Sequence, residues 1–323
     1  SVVRALVPQV YLRVMPGDLG NDGALLAGAE GDVKLRGDLV NSGTIAGRQL
    51  VSIDAGNIRN LSGGQISGAQ VGLSARQDID IIGSTVKATD AIALKAGGNI
   101  TVASTTSEWK DQGDRLSQQK TTLDRVAGLY VTNPGGDGVL SVVAGGDIGL
   151  KAAEIRNAGT HGITQLVAGG NLELVAQTLG QSSALNHDSR NHTSNSQTTH
   201  AVTSIEGAGD VVLAAGKDIN LAATRIKTDG GMALQAGGDI NSQVLIDSRS
   251  SDFSAGGKRS SLQISQSDET ARGSQLQAGD NVVLRANRDI NLTATQVASS
   301  DGTLSVAAGR DVNLLSANET HDF

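Results

Sequence analysis

The chain has 323 residues, a formal net charge of −7, 42 Gly, 3 Pro, no Cys and few aromatics: Tyr11, Trp109, Tyr130, Phe253 and Phe323. Without Cys a disulfide scaffold and thiol chemistry are excluded, and the scattered Lys and Arg offer no basic face to a nucleic acid. A core with so few rings, each of which would bury roughly 150–250 Å², must be built from Val, Ile, Leu and Ala in narrow layers.

Taken in chain order, residues 1–21 are expected to form the N-terminal edge or cap of a single rod spanning 1–323. Within that edge and just past it, Asp18, Asn21 and Asp22 precede Gly23 but lack the terminal Glu of a helix-loop-helix calcium site. Next comes a phrase built on Asn-x-Gly and Ile-x-Gly. Its markers Ile45 and Ile66, like Gly47 and Gly68, lie 21 residues apart, and Val86 follows Ile66 by 20.

A second phrase shares that period: apolar, spacer, Ala, Gly, a variable residue, Asp or Asn, apolar, spacer, apolar. Leu94-Lys95-Ala96-Gly97-Gly98-Asn99-Ile100-Thr101-Val102 is the clearest copy. Copies stand at Leu73 to Ile81, Val142 to Leu150, Leu166 to Leu174, Leu213 to Leu221, Leu234 to Ser242, Leu284 to Leu292 and Val306 to Leu314. Their acidic or amide residues are Asp78, Asn99, Asp147, Asn171, Asp218, Asp239, Asp289 and Asp311, at intervals of 21, 48, 24, 47, 21, 50 and 22.

Each phrase alternates with period two, as half-buried strands do. The Gly-Gly-Asx centre reads as a corner, with glycine supplying positive φ at no cost and the Asx residue bonding its own backbone. Three short strands and three corners per unit of about 21 residues make one coil of a right-handed parallel β-helix, an all-β solenoid stabilised by its neighbours. A sandwich of antiparallel hairpins would have no reason to keep a fixed period.

The interval doubles at three places, and there the composition changes. Residues 104–137 are charged and carry Trp109, 179–207 are rich in Ser, Thr, Asn and His, and 243–273 contain a Gly-Gly turn between alternating runs. These are expected to be insertions, either extra-helical hairpins or polar coils, and the third reads as a hairpin. Phe253, Gly256, Gly257, Lys258 and Arg259 are its candidate partner-contact residues.

No metal, cofactor or catalytic site is expected. His187, His192 and His200 share one polar stretch but lack the spacing of a zinc site. The Gly-Gly-Asp corners lack the nine-residue period of calcium-binding repeats. Sugar-cleaving grooves call for clustered acids or aromatic platforms, and no nucleophile elbow is present, so a polysaccharide-acting enzyme is the weaker reading from another class. No apolar run reaches the roughly 20 residues needed to cross a bilayer, and the chain opens on Ser1 without a signal-like segment. It is therefore expected to be part of a longer protein.

Three stretches carry a family resemblance: Val3-Arg4-Ala5-Leu6-Val7-Pro8-Gln9-Val10-Tyr11-Leu12-Arg13, Gly37-Asp38-Leu39-Val40-Asn41-Ser42-Gly43-Thr44-Ile45-Ala46-Gly47-Arg48, and the repeated Ala-Gly-Gly-Asp-Ile. They resemble the filamentous haemagglutinin repeats of two-partner-secreted exoproteins, most of all CdiA-type contact-dependent growth inhibition effectors. The resemblance implies a structural rod, secreted to the Gram-negative outer-membrane surface through an outer-membrane transporter, which presents or delivers a C-terminal toxin. Its implied partners are that transporter and a target-cell envelope or receptor, with end-to-end or edge self-association as a further expectation. An adhesin segment binding host cells is the rival reading. The secretion domain and toxin of such proteins lie outside this sequence, so neither killing nor export signalling is expected of it.

Overall fold

The computed structural model describes residues 24–188, 190–257 and 259–322. The expected edge at 1–21 and Lys258 lie outside them. The described residues form a right-handed parallel β-helix of three faces, with no helix among them.

The third face is the most regular, a ten-stranded parallel sheet running from Leu39–Asn41 through Ile100–Ala103 and Ile148–Lys151 to Val312–Leu315. The first and second faces share one sheet. In the early coils they are a single bent strand, as in Thr44–Ala55, Gln65–Ala75 and Thr85–Ala96, with register shifts at the bend. From Gly128 onward they separate into two strands per coil, such as Glu154–Asn157 and Ile163–Ala168.

Rung-to-rung register stacks like on like. Ile79, Ile100, Ile148, Leu172, Ile219, Ile240 and Ile290 form one interior row, and Ile53, Leu73, Leu94, Val142, Leu166, Leu213, Leu234 and Leu284 form another. All of these side chains are buried, each contributing on the order of 1.5–3 kcal/mol by leaving water. A third row is Ala throughout, from Ala55 and Ala75 to Ala236 and Ala286, at the vertex where the second face meets the Gly-Asx corner. The aliphatic composition follows from this geometry, because a vertex and two close walls admit methyls and branched chains but not rings.

The long intervals are not doubled coils. Ile100 pairs directly with Ile148, so they sit on adjacent rungs although 48 residues separate them. The extra residues leave the rod as antiparallel hairpins: hairpin I (Thr105–Gln112 with Leu116–Arg125), hairpin II (Gln177–Asp188 with Asn191–Ala201) and hairpin III (Leu245–Gly256 with Ser261–Arg272). The chain has rejoined the rod by Gly128–Val131, Ser204–Gly207 and Gln275–Ala278.

All three hairpins leave from the corner between the third and first faces. In the hairpin-free coils from Ile58 onward that corner turns on a left-handed residue: Ser62 (φ 52°), Gly83 (53°), Ala152 (46°), Ala223 (49°) and Ala294 (48°). Plain and hairpin-bearing coils alternate strictly from Ile100 onward. The hairpins then pair edge to edge into a seven-stranded antiparallel side sheet, joined at its far edge by His321–Asp322.

Candidate functional site: the Asx column and the side sheet

Each of the eight corner residues sits in one vertical column. The side-chain oxygen of one rung accepts the backbone N–H of its counterpart on the next: Asp78 from Asn99 (2.7 Å), Asn99 from Asp147 (2.8 Å), Asp147 from Asn171 (2.7 Å) and Asn171 from Asp218 (3.2 Å). The column continues from Asp218 to Asp239 (2.8 Å), Asp239 to Asp289 (2.9 Å) and Asp289 to Asp311 (3.2 Å). Two members went unread in the sequence. Asp38 Oδ1 accepts from Asn57 N–H (2.9 Å), and Asn57 Oδ1 from Asp78 N–H (3.1 Å). Their corners are irregular, Ala55-Gly56-Asn57 being one residue shorter than the common phrase.

This geometry corrects the reason given for the corner. Neither Gly97 nor Gly98 lies in the left-handed region, and the Asx side chains cap the next coil instead of their own backbone. Glycine is required for space. A Cβ on Gly97 would overlap the carbonyl oxygen of Arg76, and one on Gly98 the Asp78 Oδ1 that caps Asn99.

Charge along the column is managed by sequence. From Asp38 to Asp218 the residues alternate Asp and Asn, so no two carboxylates are stacked directly. The alternation ends at Asp218-Asp239-Asp289-Asp311, and there cations enter the preceding position: Lys217, Arg288 and Arg310. Arg288 bridges Asp218 and Asp239 at 2.9 Å each, and Arg310 reaches Asp289 at 2.7 Å. Asp38, at the start, is held below the usual carboxylate range by the side-chain and then the backbone N–H of Asn57.

The side sheet differs from the rod in that none of its described strand residues is fully buried. Cross-strand register groups residues from all three hairpins on one face, since directly opposed residues point the same way. Near the tips run Leu116, Leu185, Thr193, Phe253 and Ile264. Four residues toward the rod run Trp109, Lys120, Gln181, Gln197, Arg249 and Asp268, with Trp109 52% exposed.

Among the predicted contact residues, Phe253 is exposed on this face. Gly256 N–H donates to Asn191 Oδ1 (3.0 Å), tying hairpin III to the tip of hairpin II, and Gly257 N–H closes its own turn on Ser260 O (2.8 Å). Arg259 is exposed beside that turn. The tip of hairpin II is capped by Asp188, held low by hydrogen bonds from the Asn191 side chain and from the backbone N–H groups of Arg190 and Asn191. The histidines do not converge. His200 Nδ1 bonds Asp247 (2.8 Å), which also accepts Arg272 Nε (2.8 Å), and no cluster of metal-ligating residues occurs among the described residues. The Trp109 row could not be read from the sequence, because its members lie in three separate insertions whose mutual register nothing local encodes.

Stacked coils, an Asx-capped corner and edge-paired hairpins define a repeat rod of the parallel β-solenoid class. The chain belongs to the hemagglutinin-repeat family, whose model matches residues 57–122, 130–257 and 253–323. It is 33% identical over 314 residues to a deoxyribonuclease CdiA of Dickeya dadantii, covering 82% of this chain and 9% of that protein. It is 32% identical over 322 residues to a 16S rRNA endonuclease CdiA of Enterobacter cloacae and 30% over 325 to a tRNA nuclease CdiA of Escherichia coli, each covering 98% of this chain and 9% of the relative. The chain thus spans about a tenth of these relatives' length. No solved structure matches.

Proposed function

We infer that this chain is a rod segment of a secreted Gram-negative exoprotein that carries a C-terminal toxin to neighbouring bacteria. One observation carries the reading: relatives named for three different nuclease activities resemble this segment about equally. A segment that stays alike while the named activity changes is the shared carrier, and the nuclease lies elsewhere in the relatives. Nearest-neighbour stacking suits export through an outer-membrane transporter, since each emerging coil meets a finished template and adds apolar contacts. The target-cell envelope is the partner of the delivered protein. The outer rung at Val312–Leu315, with Leu314 71% exposed, offers a strand edge to a further coil or to another copy.

The test is an in-register excision in the parent protein. Removing residues 100–171 joins Asn99 to Leu172, taking out hairpin I with its coil and one plain coil while preserving the column and the interior rows. The expected result is unchanged toxin activity in vitro with weakened inhibition of neighbouring cells. Nuclease or sugar-cleaving activity in the isolated 323-residue chain would overturn the reading, as would full inhibition after excision of every hairpin-bearing coil.

A further inference from the structure

We propose that the Trp109 face of the side sheet is a binding site for an anionic polysaccharide. The chain has one Trp, and instead of burying it places it half-exposed on the edge strand of a polar sheet. A cleft of about 340 Å³ begins at that indole and crosses hairpins I and II to the first strand of hairpin III. Along its floor the register sets Trp109, Lys120, Gln181, Gln197 and Arg249 side by side on successive strands. With strands roughly 4.8 Å apart, the row extends about 19 Å perpendicular to the strands, the length of a short oligosaccharide lying along the rod.

The chemistry matches that ligand class. An exposed indole presents a flat apolar surface to the C–H face of a pyranose ring while its N–H stays available to a hydroxyl. Gln181 Nε2 donates to Gln197 Oε1 (3.2 Å), which holds both amides in place and leaves the Gln197 NH₂ and the Gln181 carbonyl for sugar hydroxyls. Asn195 and Ser183, opposed on the neighbouring row, supply further donors and acceptors. Lys120 and Arg249 flank the two glutamines and appear in none of the ion pairs of the described residues, whereas Asp268 beyond Arg249 is engaged by His321 (3.3 Å). Two cations spaced along an amide-lined track, in a chain of net charge −7, fit carboxylates repeating along a polymer. A neutral glycan would leave both unused.

Because Trp109 is the single Trp, its fluorescence reports on this site directly. The 323-residue chain is titrated at low ionic strength with polygalacturonate, with neutral dextran, and with phosphatidylglycerol vesicles. Polygalacturonate is expected to change Trp109 emission saturably and dextran to bind at least about tenfold more weakly. Lys120→Gln with Arg249→Gln should weaken polygalacturonate binding about tenfold with an unchanged circular dichroism spectrum. Trp109→Phe, followed by calorimetry, should keep the fold and lose affinity. Absence of any polygalacturonate response, equal binding by the double variant, or a blue shift with vesicles alone would overturn the proposal, the last making the face a lipid-binding one.

Discussion

Gly170→Ala and Asp147→Ala together test whether the Asx column and the corner glycines are one device. Asp147 Oδ1 accepts Asn171 N–H at 2.7 Å from an exposed corner. Removing that acceptor lets water replace it, so Asp147→Ala should cost about 1–1.5 kcal/mol. A Cβ on Gly170 would overlap the same Oδ1, so Gly170→Ala must expel the carboxylate and shift backbone, at about 2–4 kcal/mol. Once Asp147 is Ala, the nearest remaining obstacle beyond that residue is the carbonyl carbon of Gly146 at 3.3 Å, and the added methyl should cost less than about 1 kcal/mol. The two changes should therefore couple by about 1–4 kcal/mol, the double variant being less than about 1 kcal/mol below Asp147→Ala alone. Urea unfolding followed by far-ultraviolet circular dichroism measures the sum, and hydrogen exchange at the Asn171 amide localises it. Additivity within about 0.5 kcal/mol would refute the claim that glycine stands there to clear the cap.

Thr164 lies wholly buried in a second-face row between Leu140 and Val211, its Oγ1 without a hydrogen-bond partner. Thr164→Val should therefore raise stability by about 1–2 kcal/mol in urea unfolding, and a loss would mean that the hydroxyl is satisfied. Arg288→Gln should destabilise by about 1 kcal/mol at low salt and less at high salt, and Asp239→Asn in the same chain should recover most of it by restoring the Asp and Asn alternation. Equal losses at both salt concentrations would count against electrostatics. Asp188, with its pKa depressed, stabilises the hairpin II tip above the ordinary carboxylate range, and that contribution disappears as pH falls through its own lowered value. Carboxyl NMR should find its midpoint below that of an unstructured Asp, and Asp188→Ala should abolish the pH dependence of tip exchange.

The rod was legible because its signals are local and repeated. Ala96-Gly97-Gly98-Asn99-Ile100 carries strand alternation, corner and period in a few residues, and stacking requires each later copy to agree with it. The chemical role of those residues was less legible. Gly98 and Asp78 are 20 positions apart in sequence and yet compete for one volume, so a reading confined to neighbours assigned the glycine to backbone freedom. Asp38 and Asn57 escaped for a related reason, since the column tolerates a shorter corner that the sequence phrase does not. The side sheet was hardest of all. Phe253 announced a hairpin through its Gly-Gly turn, but nothing near it specifies Thr193 and Ile264 as its neighbours, and polar strands without a buried face leave little pattern from which to read register.

The spacing of the hairpins does leave a trace in the sequence, and its origin is metrical. The third-face strands after which the chain leaves the rod end at Ala103, Val175 and Gln243, and the segment leading to His321 departs after Leu315, so successive departures are 72, 68 and 72 residues apart. Each such unit contains one hairpin-bearing coil and one plain coil. Two coils advance the rod by roughly 9.6 Å, and a hairpin is two strands wide, also roughly 9.6 Å. One hairpin per coil would crowd the side sheet twofold, and one in three would leave a strand-wide gap with unpaired N–H and C=O groups. Alternation is the spacing at which the rod's pitch and the sheet's pitch agree, and it lets exposed polar hairpins, marginal on their own, complete one another's hydrogen bonding. The plain coil therefore acts as the spacer that holds Gln181 of hairpin II opposite Lys120 of hairpin I, and inserting a single plain coil between them would separate that pair while leaving the interior rows of the rod continuous.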